Sequence, residues 1–367
     1  MGKNKVIIAL LFGTALLYGL CIALFQNYTN FDLQSYHQIG SLVLKGIPIY
    51  PDPALSRHPY LPFFLYIEAL FVLLSAQFHI PEAVLFKSFF ALFHLISVYY
   101  FYQLARRNWK ITLWYAINPI SLLVITFHGQ FDVIPVALLL FALSLLEQKK
   151  YTAVGIALSL AVTLKTWPVL FIYPFLRRMP KKIWVLLFLL PSFFLLLYPL
   201  IFAHSLGSSV QSLGSILFVL LRYQGVPTAW GGGYLLSLLT TNKWVYFMYK
   251  LIFVGGFVLF FLTQRKTRII DELLTLFLLF FVCTPGFGIQ WLLWLVPFLL
   301  LSKKPFSLLF YVPLVLMLAV AYLSWQPLGA TDLFQVQVVS LSTWVCFVLF
   351  FVFSSYLVPR LKMKSIL

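Results

Sequence analysis

Apolar runs follow one another along this chain with short polar breaks between them, and many approach the ~20 residues that a bilayer-spanning helix needs. They fall at 6–25, 59–77, 83–105, 111–127, 132–146, 151–164, 166–176, 183–203, 243–263, 270–284, 290–302, 306–324 and 335–357. Within each run the apolar residues are continuous and do not alternate with polar ones, so the runs read as helices and not as strands of a barrel. Hydrophobic residues make up 62% of the chain and charged residues 10%, which excludes a soluble globular domain. The pattern predicts an all-α polytopic membrane protein forming a single integral membrane domain over 1–367.

The breaks are unequal. Positive charge gathers in short clusters at Lys3/Lys5, Arg106/Arg107/Lys110, Lys149/Lys150, Arg177/Arg178/Lys181/Lys182, Arg265/Lys266/Arg268, Lys303/Lys304 and Arg360/Lys362/Lys364. The net charge of +17 is therefore spread between hydrophobic runs. That is the distribution of cytoplasmic loops, and it argues against a nucleic-acid partner. Contact with membrane lipids, anionic ones included, follows from the same charges. Placing the clusters inside gives about twelve crossings, with both termini cytoplasmic and the two largest outer loops at 26–58 and 204–242. The run 59–77 breaks this parity and is read as a re-entrant or partly inserted segment of the outer side, with a true crossing or a mis-divided neighbour as alternatives. The first run has a basic start and no small-residue cleavage site after it, so it is read as a retained helix.

Polar residues with chemical potential gather on the outer side. Asp32 opens the loop sequence FDLQSYHQIGSLVLKG. It reads either as a general base or as the N-cap of a short amphipathic helix lying on the membrane surface. The sequence NPISLLVITFHGQFDVIP places His128, Gln130 and Asp132 at a hairpin tip. There Asp132 is suited to cap the returning helix, and His128 and Gln130 to bind a phosphate or sugar hydroxyls, or the tip is simply a turn. Lys165 interrupts an apolar stretch, where a central charge costs ~2.5–3.5 kcal/mol on insertion scales. It reads as a phosphate-binding point charge or as a snorkelling side chain. Weaker candidates are Arg57, His58 and Tyr60 at the end of the first loop, Arg222 in the second, and Gln290 at the last hairpin tip. Cys21, Cys283 and Cys346 lie in or beside apolar runs without metal-like spacing, and no metal site is expected from them.

Four blocks give these residues a common context. They are FDLQSYHQIGSLVLKGIPIYPDP followed by HPYLPFF, then NPISLLVITFHGQFDVIP, AVGIALSLAVTLKTWPVLFIYP and TPGFGIQWLLWLVPF. In this order they resemble the GT-C superfamily of polytopic glycosyltransferases, with the nearest likeness to glycosyltransferase family 87 and to the first mannosyltransferase of GPI-anchor synthesis. The resemblance implies a GT-C-like bundle of about twelve transmembrane helices with an amphipathic or re-entrant segment in the first outer loop. It implies a polyprenyl- or dolichyl-phosphate sugar as donor substrate, a glycolipid or glycan as acceptor, and no separate cofactor. Asp32 takes the role of general base. Tyr36, His58, Tyr60, His128, Gln130, Asp132, Lys165, Arg222 and Gln290 become substrate-binding candidates. One departure is visible, because some relatives carry Asp-x-Asp where this chain has Asp32 and then Gln34. A metal-binding diacid is not expected there, and side chains must then meet the charge of the leaving phosphate.

Two other classes compete. A lipid-linked-sugar flippase or small-solute transporter would line a midplane path with charge and show repeated halves. An assembly subunit would need no clustered chemistry. Convergence of Asp32, Asp132 and Lys165 on one place would favour the enzyme. The lack of large appended domains suggests a prokaryotic cell membrane.

Overall fold

The computed structural model describes residues 3–50, 60–202, 243–263, 267–284, 287–302 and 307–323, together with 345, 347 and 348. Every element among them is helical. Asn4–Leu24, Glu82–Leu104, Trp109–His128 and Lys181–Phe202 are each long and apolar enough to cross a bilayer, and the chain is a helical membrane protein. It divides into two units, Met1–Gln224 and Gly225–Leu367.

The first unit begins with α1 (Lys3–Leu24). A turn leads to α2 (Phe31–Leu44), whose N-cap is Asn30 and not Asp32; the Asn30 carboxamide oxygen accepts from the backbone N–H of Asp32 and Leu33. Asp32 thus sits inside the first turn, where the helix dipole favours an acid. The run expected at 59–77 forms one continuous helix, α3 (Phe63–Phe78). It is shorter than a full span and packs against α2, α4 (Glu82–Leu104) and α8 (Tyr151–Leu164). Gly40 of α2 permits that packing: a Cβ there would lie 2.7 Å from the Glu68 carbonyl oxygen on α3. Small residues at helix contacts serve membrane bundles in this way, by letting backbones approach.

The run 111–127 is broken where its sequence is broken. Asn108 caps α5 (Trp109–Ala116), and Asn118 followed by Pro119 starts the short α6 (Pro119–Leu122). The chain then widens into a π-helical turn, Leu123–His128, a form often found at functional sites. α7 (Val133–Glu147) is buried on nearly all sides, as a helix apolar all round should be at the middle of a bundle. It packs between α4 and α8, and α8 packs in turn on α10 (Leu186–Phe202). Between them the stretch expected to return at 166–176 is two short pieces, a 3₁₀ turn (Trp167–Phe171) and α9 (Tyr173–Leu176). The chain leaves α8 at Lys165, which is extended, and Pro168 has no N–H with which to carry the helical ladder on from the Leu164 carbonyl. Large apolar side chains such as Phe12, Leu16, Leu24 and Leu200 stand exposed on α1 and α10, as lipid-facing surfaces require.

The second unit contains α11 (Lys243–Thr263), α12 (Ile269–Cys283), α13 (Leu292–Leu301) and α14 (Ser307–Leu323), each packed on the next. At one end Ser302 donates to Asp271 Oδ1 at 3.2 Å and Arg268 donates to the Leu301 carbonyl, tying α12 to α13. The outer loop expected at 204–242 lies outside the described residues, as does most of the run at 335–357.

Candidate functional site

The site is built where α2 meets the turn after the π-helical segment. That segment ends at His128, and Gly129 reverses the chain with φ +74°, a left-handed conformation open to glycine. Both Gly129 and Gln130 donate their backbone N–H to the Val124 carbonyl at 3.1 Å, which closes the turn tightly. A Cβ at position 129 would stand 3.0 Å from Leu33 Cδ2, so α2 lies directly over the glycine. Leu33 is the residue next to Asp32.

The turn delivers two donors to one carboxylate oxygen. Asp32 Oδ2 lies 2.8 Å from His128 Nε2 and 2.5 Å from Gln130 Nε2. A carboxylate at that distance requires the proton on His128 Nε2. Because the Gln130 NH₂ faces Asp32, its amide orientation is also fixed, and its Oε1 is buried with no hydrogen-bond partner among the described residues. The Asp32 side chain is 29% exposed, whereas that of His128 is 2% exposed. Burial raises the Asp32 carboxyl, but the hydrogen bonds from His128 and Gln130 and the charges of His128 and Lys165 outweigh it, and the net position is below the usual carboxylate range.

A second pair adjoins the first. Asp132 stands at the N-cap of α7 but makes no side-chain capping bond. Its Oδ2 instead takes a 2.6 Å hydrogen bond from Lys165 Nζ. Lys165 closes α8 in an extended conformation, which turns its side chain back into the bundle. The pair is buried, with side chains 6% and 0% exposed, so Lys165 does not snorkel to an interface. Its ammonium lies 4.4 Å from the ring centre of Phe131 and 5.3 Å from that of Tyr60. Tyr60 is held by the loop behind it: Tyr50 donates to the Tyr60 carbonyl at 2.6 Å, and Tyr198 accepts the backbone N–H of Ile49 at 2.7 Å. Tyr36, one turn along α2 from Asp32, points inward against Phe64 and Phe86. Burial pushes the Tyr36 hydroxyl well above its usual range, with Tyr60, Asp32, Glu68 and Asp132 acting in the same direction. It is a neutral donor, and no partner accepts from it among the described residues.

Asp32, Tyr36, Tyr60, His128, Gln130, Asp132 and Lys165 therefore share one neighbourhood. His58 and Arg222 lie outside the described residues, as do Asp52 and Arg57. Gln290 belongs to the second unit, in the 3₁₀ turn Ile289–Trp291, where its side chain folds over Gly288. Among the described residues no three of His, Cys, Asp and Glu gather as a metal site would need.

Two residues of the neighbourhood escaped the sequence reading. Asn30 caps α2 and also donates Nδ2 to the His128 carbonyl at 2.6 Å. Lys87, fully buried near the start of α4, donates to the carbonyls of Phe25 at 2.8 Å and Tyr28 at 3.4 Å. Tyr28 in turn stacks on Phe127 with ring centres 4.1 Å apart. Lys87 carried a signal, a lone cation in an apolar run like that of Lys165. Asn30 carried one too, a capping residue two positions before an acid. No protein-family model matches the chain, and no curated protein matches it.

Proposed function

We propose that the protein is a membrane glycosyltransferase that moves a sugar, mannose in the first instance, from a polyprenyl- or dolichyl-phosphate carrier to a glycolipid or glycan hydroxyl. The observation that carries the reading is the Asp32 carboxylate. One of its oxygens is fixed by His128 and Gln130, and the residue stays partly exposed beside a buried lysine. With Oδ2 engaged, Oδ1 is the oxygen left to accept a proton. The acceptor O–H gives that proton to Oδ1 as its oxygen forms a bond to the anomeric carbon. The anomeric C–O bond to phosphate breaks, and its electron pair leaves on the phosphate oxygen. Attack from the face opposite the leaving group inverts the configuration. A positioned base of this kind contributes ~10²–10⁴-fold.

Lys165 holds one N–H on Asp132, and an ammonium has three donors, so two remain for an anionic oxygen. Asp132 acts by aiming the lysine. The reading places α2 and the His128–Asp132 turn at the outer face of a prokaryotic cell membrane, within a GT-C-like bundle of about twelve crossings. Both termini are cytoplasmic and α3 is re-entrant. The shortness of α3 and its packing on α2 support that last assignment.

Transport is the competing reading, and it needs a continuous polar path. Another buried polar group among the described residues of the first unit consists of His94, Ser97 and Tyr115. Its members bond to one another and to the Ala116 carbonyl, and so staple α4 to α5. That arrangement favours the enzyme. The test is sugar transfer from labelled polyprenyl-phosphate-mannose in proteoliposomes containing a membrane lipid extract as acceptor. Wild-type protein should transfer label into lipid or glycan. Movement of the labelled carrier across the bilayer without transfer would replace this reading with the transporter.

A further inference from the structure

Asn30 spends both ends of its carboxamide on the two halves of the site. Its Oδ1 accepts from the backbone N–H of Asp32 and Leu33, each at 3.0 Å, and so fixes where α2 begins. Its Nδ2 donates to the backbone carbonyl of His128 at 2.6 Å. That carbonyl belongs to the last residue of the π-helical turn, immediately before Gly129. One planar amide therefore joins the helix carrying the acid to the turn carrying its two hydrogen-bond donors. The segment behind it is held as well, because Lys87 takes the carbonyls of Phe25 and Tyr28, and the Tyr28 ring rests on Phe127.

A helix cap alone does not need this arrangement. Serine, threonine or aspartate at position 30 would accept the same two N–H groups. A serine or threonine hydroxyl can donate too, but its one oxygen is taken up at the cap, whereas asparagine carries its acceptor and its donor on two atoms of one rigid group and so also reaches the His128 carbonyl. We infer that Asn30 is a positioning residue, whose Nδ2–His128 bond sets the distance at which His128 and Gln130 meet Asp32. Its catalytic consequence rests on the glycosyltransferase reading, but its geometric consequence does not.

The distinction can be measured with N30S, N30D and N30A. The first two keep the cap and lose the tie to His128, while N30A loses both. The readout independent of any reaction is the infrared titration of the Asp32 carboxyl, taken as the band that disappears in the matching Asp32→Asn protein. The groups acting on that carboxyl are His128, Gln130 and Lys165, with Tyr36 facing it along α2. With the tie lost, the donors draw back, burial prevails, and the carboxyl titrates at higher pH in N30S than in wild type, at unchanged melting temperature. N30D shifts further, since its carboxylate opposes the His128 carbonyl. In the transfer assay N30S loses on the order of 10²-fold in kcat, as expected for a misplaced reacting group, with donor KM unchanged. An Asp32 titration in N30S identical to wild type would overturn the inference, as would N30S and N30A losing thermal stability together. A shifted titration in a protein that transfers no sugar would uphold Asn30 and reject the glycosyltransferase.

Discussion

The two acids of the site sit in the same neighbourhood and are held in opposite ways. Asp32 lies at the surface of the cluster, bonded through one oxygen to a histidine and an amide. Asp132 lies beneath, fully buried, with a lysine as its counter-ion. A carboxylate that must exchange a proton needs an open oxygen and neighbours that leave it ionised. A carboxylate that aims a cation needs enclosure. Both are single acids beside apolar residues, and their sequence context does not separate these roles.

Removing the lysine should break the buried side of this contrast most severely. K165M removes the counter-ion of the buried Asp132, and breaking a buried pair from one side typically costs about 3–5 kcal/mol. Its melting temperature should fall sharply, and K165M/D132L should recover most of that loss. Sugar transfer should not return in the double variant, because the cation is still missing. Recovery of both would show that the pair is structural and that Lys165 meets no phosphate.

The Gly129 turn joins the two sides, and G129A tests it. Alanine at φ +74° costs about 1–2 kcal/mol, and its Cβ presses on Leu33. The displacement falls on the residue next to Asp32, so transfer should drop more than that stability loss implies. A variant with wild-type kinetics would mean that α2 tolerates the shift.

The smallest effect is the most specific to Asp32. Its carboxyl is held below the usual range, so its contribution to stability is present above the unfolded carboxyl value of about 3.9 and is lost as pH falls through the lower folded value. The acid limb of the transfer rate should lie in the same low range. In H128A the burial that raises the carboxyl loses its main opponent, and that limb should move to higher pH. A limb that stays in place would assign it to another group.

The helical, membrane-embedded character of the chain was legible in the sequence, because long apolar runs leave few choices to a chain in lipid. The tip at His128–Asp132 was legible too, since polar residues between apolar runs must serve a turn or a site. The bonding was less so. Asp132 looked like a helix cap, and Lys165 could have snorkelled, until the extended close of α8 brought the two together. Asn30 was hidden because its second partner is a backbone carbonyl on a distant segment, and carbonyls leave no mark in a sequence. The run at 111–127 looked uniform in hydropathy, yet Asn118-Pro119 divides it and so shapes the π-helical turn that ends at His128.

The most direct test is Asp32→Asn, with transfer rate and melting temperature read on the same preparation. Asparagine keeps the shape of the side chain and an oxygen to face His128 but accepts no proton. The account predicts transfer reduced ~10²–10⁴-fold, with labelled donor still bound and melting temperature near that of wild type. Transfer at the wild-type rate would contradict it, and so would a loss of transfer that merely follows a loss of fold.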